Sequence, residues 1–198
     1  MKFIKYSNIG VKLLLLILFA HYLLNPNLPQ YQNKGMPARL IIYPLIVFSI
    51  LIIHSAVRWQ RHKKIAYPHL ADLFISLAFT IDVLGNTLNL FDRIEWWDDL
   101  MHLVLWFFWV LGIGTLLRLY TNYSRIVVAG LTAGFGAITN ILWELAEYST
   151  FVPNNPLEGP KAYRDTMGDE ALSLIASLLG AVIISTVLWF VIKTRRKS

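Results

Sequence analysis

Apolar residues run along this chain in six blocks separated by short polar stretches: roughly 4 to 24, 38 to 58, 68 to 91, 99 to 120, 124 to 149 and 169 to 192. A helix crossing a hydrocarbon core of about 30 Å needs about twenty residues at 1.5 Å each, and every block is near that length. The pattern predicts an all-α, polytopic transmembrane bundle of six spans, a single integral membrane domain over residues 1–198. An even number of spans puts both termini on one side. Short connections make successive spans antiparallel neighbours. The two longest loops opposite the termini, Asn25 to Ala38 with Pro26, Pro29 and Pro37, and Thr150 to Met167 with Pro153, Pro156 and Pro160, are placed to cap that face. The first block follows Lys2 and Lys5 as a signal peptide would. Its Ala20 leads into His21, Tyr22 and Asn25-Pro26 rather than a small-x-small cleavage site, so it reads as a retained span.

Charge orients the bundle. The loop from Arg58 to Lys64 carries Arg58, Arg61, Lys63 and Lys64, the fourth-to-fifth turn Arg118 and Arg125, and the tail Lys193, Arg195, Arg196 and Lys197. With Lys2, Lys5 and Lys12 these place 13 of the 18 basic residues on the side of the termini. By the positive-inside rule that side is cytoplasmic, which makes the chain a multi-pass protein of the inner (plasma) membrane. The net charge of +6 falls in these short clusters, as membrane topology requires, and gives no reason to expect nucleic acid. The absence of cysteine excludes disulfides and thiolate metal sites. Of the twelve acids only Asp72 falls near the cytoplasmic end of a span; Asp82 sits mid-span and the other ten lie at or beyond the opposite ends. The last four spans should therefore gather their polar groups at one outer face, with no comparable set in the cytoplasmic halves.

Within that face the spacing is helical. Asp82, Asn86 and Asn89 step by four and three along one stripe of the third span, and Asn140, Glu144 and Glu147 repeat the step in the fifth. Asp98 and His102 lie one turn apart at the start of the fourth, while Asp165 and Asp169 share a face if the last helix begins early enough. Acids this close repel one another unless a proton or cation sits between them, and a mainly oxygen set with one imidazole suits Mg²⁺, Mn²⁺, Ca²⁺, Zn²⁺ or non-haem iron. Blander roles compete. Asp99 and Glu170 read as first-turn acids favoured by the helix dipole, Glu147 as a solvated group, His102 as a buried imidazole bonded to a backbone carbonyl, and Asp82 as a relay or packing residue through Asn86. His21, His54, His62 and His69 read as structural or interfacial, and Trp59, Trp96, Trp97, Tyr120 and Tyr148 as interfacial anchors. Gly130, Gly134 and Gly136 with Ala129, Ala133 and Ala137, and Ser173, Ser177 and Gly180, give the last two spans small faces for close packing.

The linked elements Asp98-x-x-x-His102, Trp143-Glu144-x-x-Glu147 and Asp165-Thr166-x-x-Asp169, from Trp97 to Ala181, resemble the YjdF-like family of small inner-membrane proteins. A weaker likeness is to VanZ-like membrane proteins. Where the YjdF-like family tends to have a small residue one turn after the histidine, this chain has Trp106. The resemblance implies a polytopic helical protein with functionally suspect acids and supplies no reaction. The residues themselves point first to a metal-dependent hydrolase or transferase acting on a lipid or lipid-linked phosphate. His102, Glu144, Glu147 and Asp169 would be ligands, Asp98 or Asp165 an orienting group or base, and Arg164 a phosphate contact. Two rivals remain: an ion- or proton-coupled transporter with a polar path through Asp82, Asn86, Asn140, Glu144 and His102, and a non-catalytic membrane factor. Oligomeric state is not written in the sequence.

Overall fold

A computed structural model of the protein describes residues 2–61, 66–151 and 159–196. His62, Lys63, Lys64, Pro153, Pro156 and Lys197 lie outside the described residues. The elements are α1 (Lys2–Leu24), a 3₁₀ turn (Pro29–Tyr31), α2 (Met36–Arg61), α3 (His69–Thr87), the short α4 (Leu90–Arg93), α5 (Trp97–Tyr120), α6 (Arg125–Phe151), α7 (Gly159–Ile183), a π turn (Ile184–Leu188) and α8 (Trp189–Arg196). Among the described residues six helices are long and apolar enough to cross a membrane, with α7 and the following helical residues forming the sixth span. The protein is a multi-pass α-helical membrane protein.

Two helix boundaries depart from the hydropathy pattern, each for a local reason. The third span stops at Thr87, because Asn89 takes a left-handed conformation (φ 57°) that asparagine tolerates and a helix cannot continue through. The last helix starts at Gly159 rather than near 169. Its first turns are polar, so hydropathy misses them, and Pro160 sits where a helix needs no backbone donor. This early start brings Asp165 and Asp169 onto one helix, four residues apart.

The helices pack in an order that follows the chain only in part. α3 lies between α1 and α5, α5 between α3 and α7, α6 against α7 and α5, and α2 along one flank of α3. Large apolar residues such as Ile41, Leu142 and Val182 remain exposed, as expected of surfaces whose solvent is lipid. Buried positions on α6 recur every four residues, at Val128, Thr132, Gly136, Asn140 and Glu144. The facing stripe of α7 includes Asp169, Ser173, Ser177 and Gly180. Where they meet, a Cβ on Gly136 would collide with Ser177 and Val110, and one on Gly180 with Val110, so Val110 of α5 fills a notch that only glycine leaves. The small face expected on α6 is thus narrower than its sequence implies: a Cβ on Gly130 or Gly134 would meet no other part of the molecule within 4 Å.

At the end of the bundle near the termini, Asp72 of α3 is fully buried. Its Oδ2 accepts hydrogen bonds from Asn8 Nδ2 (2.7 Å), Lys12 Nζ (2.7 Å) and the Tyr67 hydroxyl (2.6 Å). Burial and this bond push the Tyr67 ionisation upward. Beside it His54 Nδ1 meets the Tyr120 hydroxyl at 2.8 Å. These contacts correct two expectations. The termini end does hold a buried polar network, assembled from three segments too far apart in sequence to show as a motif. Tyr120, expected as an interfacial anchor, is buried instead.

The opposite end is capped by the loop between α1 and α2. Tyr31 is buried there; its hydroxyl lies 2.8 Å from His21 Nδ1 and donates to Thr87 Oγ1 (3.2 Å), and Lys34 pairs with Asp92 (2.6 Å). Gly35, at φ +60°, turns the chain into α2.

Candidate functional site

At this opposite end α5, α6 and α7 bring His102, Glu144 and Asp169 together. All three are buried. Each comes from the inward stripe of its helix, so the packing that seats Val110 between two glycines also aims these side chains at one another. His102 Nδ1 lies 3.7 Å from Glu144 Oε1, and its Nε2 lies 3.7 Å from Asp169 Oδ1. Those separations exceed a hydrogen bond. The same two oxygens, Glu144 Oε1 and Asp169 Oδ1, have no hydrogen-bond partner among the described residues. Ser173 Oγ, one turn beyond Asp169, lies 3.2 Å from His102 Nδ1.

Ligating atoms gather into two triads that share the imidazole. Those of Asp98, His102 and Asp169 lie within 4.8 Å of one another, and so do those of His102, Glu144 and Glu147. The three expected carboxylate ligands thus divide around the imidazole, Glu144 and Glu147 in one triad and Asp169 in the other, and Asp98, expected as an orienting group or base, joins Asp169. Asp165 and Arg164 are exposed on the first turns of α7, and Arg164 does not line the cavity described below. Asn140 donates to Glu170 Oε2 at 2.6 Å. Both are tied to each other rather than to the imidazole, and Glu170 does more than face the helix dipole.

Asp82 and Asn86 are buried on α3 but serve different partners. Asn86 Nδ2 donates to the Asp82 backbone carbonyl (3.0 Å), so no side-chain relay joins them. The Asp82 carboxylate instead accepts from Arg39 Nε (2.8 Å) and the Tyr43 hydroxyl (2.9 Å), both on α2. Arg39 also donates to the Lys34 carbonyl and lies over the Trp143 ring, 5.3 Å from its centroid. Sequence reasoning gave Arg39 and Tyr43 no role. The available signal was a lone arginine one turn inside an apolar span, which demands a partner at that depth.

A cavity of about 500 Å³ opens beside the cluster. Arg39, Asp82, Asp98, His102 and Glu147 line its polar end, and α2, α3, α5 and α6 supply apolar and aromatic walls. Trp106, the departure from the family pattern, is one of them. A cavity of this size is in the range that holds small-molecule ligands.

Fold and site together define a polytopic helical membrane protein with a buried carboxylate and imidazole cluster at one membrane face. The chain belongs to the family described as "Predicted membrane protein (DUF2238)", whose model matches residues 9–194. It is similar to an uncharacterized protein of Thermotoga maritima, 25% identical over 142 residues, covering 65% of this chain and 68% of that protein. No solved structure matches the chain. These findings bear out a membrane protein family without an assigned reaction and lend no support to the weaker VanZ-like likeness.

Proposed function

We propose that the protein is a cation-dependent membrane enzyme, a hydrolase or transferase, acting on a lipid or lipid-linked substrate at the membrane face opposite its termini. One observation carries the reading. Glu144 and Asp169 each keep a buried oxygen without a hydrogen bond, 3.7 Å from opposite nitrogens of His102. Buried carboxylates are stable when paired or bound to metal, and among the described residues no lysine or arginine forms an ion pair with either. Oxygen donors with one imidazole fit Mg²⁺, Mn²⁺, Ca²⁺, Zn²⁺ or iron. Such a cation supplies a polarised phosphoryl or acyl oxygen and an activated water.

The chain's own residues take separate parts. His102, Asp98 and Asp169 would hold the cation, with Asp169 facing the Nε2 edge of the ring. Glu144 and Glu147 form the other triad with the imidazole, and Glu147, half-buried at the cavity wall, is the group positioned to take a proton from water. The basic residues at the termini end make that end cytoplasmic, so the site opens on the outer face of the inner membrane.

A second reading, an ion- or proton-coupled carrier, gains from α3, where Asp72, Ser76, Thr80, Asp82 and Asn86 are all buried along one helix. Metal content by mass spectrometry on purified protein separates the two. A stoichiometric cation, lost in His102→Ala, Glu144→Ala and Asp169→Ala, and turnover of lipid phosphates or esters that needs it, are expected. Folded wild type without a cation after repletion, together with proton or ion flux in liposomes, would replace the enzyme with the carrier.

A further inference from the structure

Holding a cation uses only one end of the cavity. The remainder descends into the membrane along walls that include Ile46, Ala78, Phe79 and Trp109. Lining residues run from Asp98 to Trp109 on α5 and from Arg39 to Ile46 on α2. At 1.5 Å per residue these intervals are about 16 and about 10 Å. That is the depth of about one leaflet, half of a hydrocarbon core of about 30 Å. Ile42 on α2 and Leu142 on α6 line the cavity and are 47% and 60% exposed. These two helices are scarcely packed against each other, so a mouth between them would open sideways into the bilayer. At the polar end the one lysine or arginine lining the cavity, among the described residues, is Arg39, fixed by Asp82 and by the Trp143 ring.

We infer that the cavity takes a hydrocarbon chain of a membrane lipid that carries a phosphate headgroup, entering between α2 and α6, with Arg39 as the headgroup contact and specificity determinant. The inference deepens the reading above and rests on it for the cation. Asp82, Asp98 and Glu147 outnumber Arg39 at the polar end, so a phosphate is admitted when a divalent cation is present and repelled when it is stripped. A lipid whose headgroup ends in an amine would show the reverse dependence, favoured by the bare carboxylates.

Native mass spectrometry of the delipidated full chain tests this, with phosphatidic acid, diacylglycerol and phosphatidylethanolamine of identical acyl chains, in Mn²⁺ or in EDTA. One phosphatidic acid per chain in Mn²⁺, at least tenfold preferred over diacylglycerol and released by EDTA, is the expected result. Leu142→Trp narrows the mouth and Ala78→Phe fills the wall, and both should abolish lipid retention while Mn²⁺ still binds. Arg39→Gln should erase the phosphate preference, and Arg39→Gln with Asp82→Asn should do so without stranding a buried carboxylate. Phosphatidylethanolamine retained equally in EDTA, or phosphatidic acid retained unchanged in folded Leu142→Trp and Ala78→Phe, overturns the inference. Mn²⁺ bound with no lipid retained overturns it too and leaves the cation reading standing. Phosphate-selective retention that EDTA does not touch overturns the cation-dependent admission and leaves the enzyme reading to the metal-content measurement.

Discussion

Two ends of one bundle bury carboxylates with different partners, although each leaves a carboxylate oxygen without a hydrogen bond among the described residues: Asp72 Oδ1 near the termini, Glu144 Oε1 and Asp169 Oδ1 at the far end. Near the termini, a single oxygen of Asp72 collects three donors, one of them the Lys12 ammonium, and the charge is answered by an ion pair. At the far end, Glu144 and Asp169 face a histidine across gaps too long for hydrogen bonds, with Asp98 and Glu147 adding charge of the same sign nearby. The first arrangement is what a fold builds to hold α1 against α3. The second has no lysine or arginine ion-pair partner among the described residues, and a proton or the proposed cation would relieve it. Burial alone does not separate structural charge from functional charge; the state of the partners does.

The contrast predicts unequal responses to substitution. Asp72→Ala strands the Lys12 ammonium in a buried site and should lower stability by about 3–5 kcal/mol, read as denaturant or thermal unfolding in detergent. Cation content in protein that remains folded should not change. Pairing Asp72→Asn with Lys12→Met removes both charges and should recover most of that loss, because a buried ion pair replaced by apolar groups of similar volume is often neutral. Tyr67→Phe deletes one of three donors to a charged oxygen and should cost about 1.5–3 kcal/mol. Glu144→Gln should change stability by less than about 0.5 kcal/mol or raise it, since it relieves a congested set of acids, yet it should abolish cation binding. A Glu144→Gln protein as damaged as Asp72→Ala would erase the distinction between the two ends.

The sequence carried the membrane architecture almost whole, because a bilayer imposes one length and one polarity on every span. It also carried the cluster. Asp98, His102, Glu144, Glu147 and Asp169 sit at helical spacings near the ends of three helices, and spacing fixes which face each occupies. What it could not carry were partnerships between helices. Arg39 with Asp82, and Asn8, Lys12 and Tyr67 with Asp72, join residues 5 to 64 positions apart, brought together by packing that periodicity does not encode. The placement of Glu144 and Asp169 at opposite nitrogens of one imidazole was equally hidden, since it depends on how the ring turns at the helix interface.

The notch that seats Val110 between Gly136 and Gly180 has a mechanical consequence. It is a fulcrum. Glu144 lies eight residues from Gly136, and Asp169 eleven from Gly180, lever arms of about 12 and 16 Å at 1.5 Å per residue. A tilt of about 5° at that pivot moves either carboxylate by about 1 Å. The 3.7 Å gaps on either side of His102 are therefore within reach of a slight rocking of α6 or α7, with no side chain changing its rotamer.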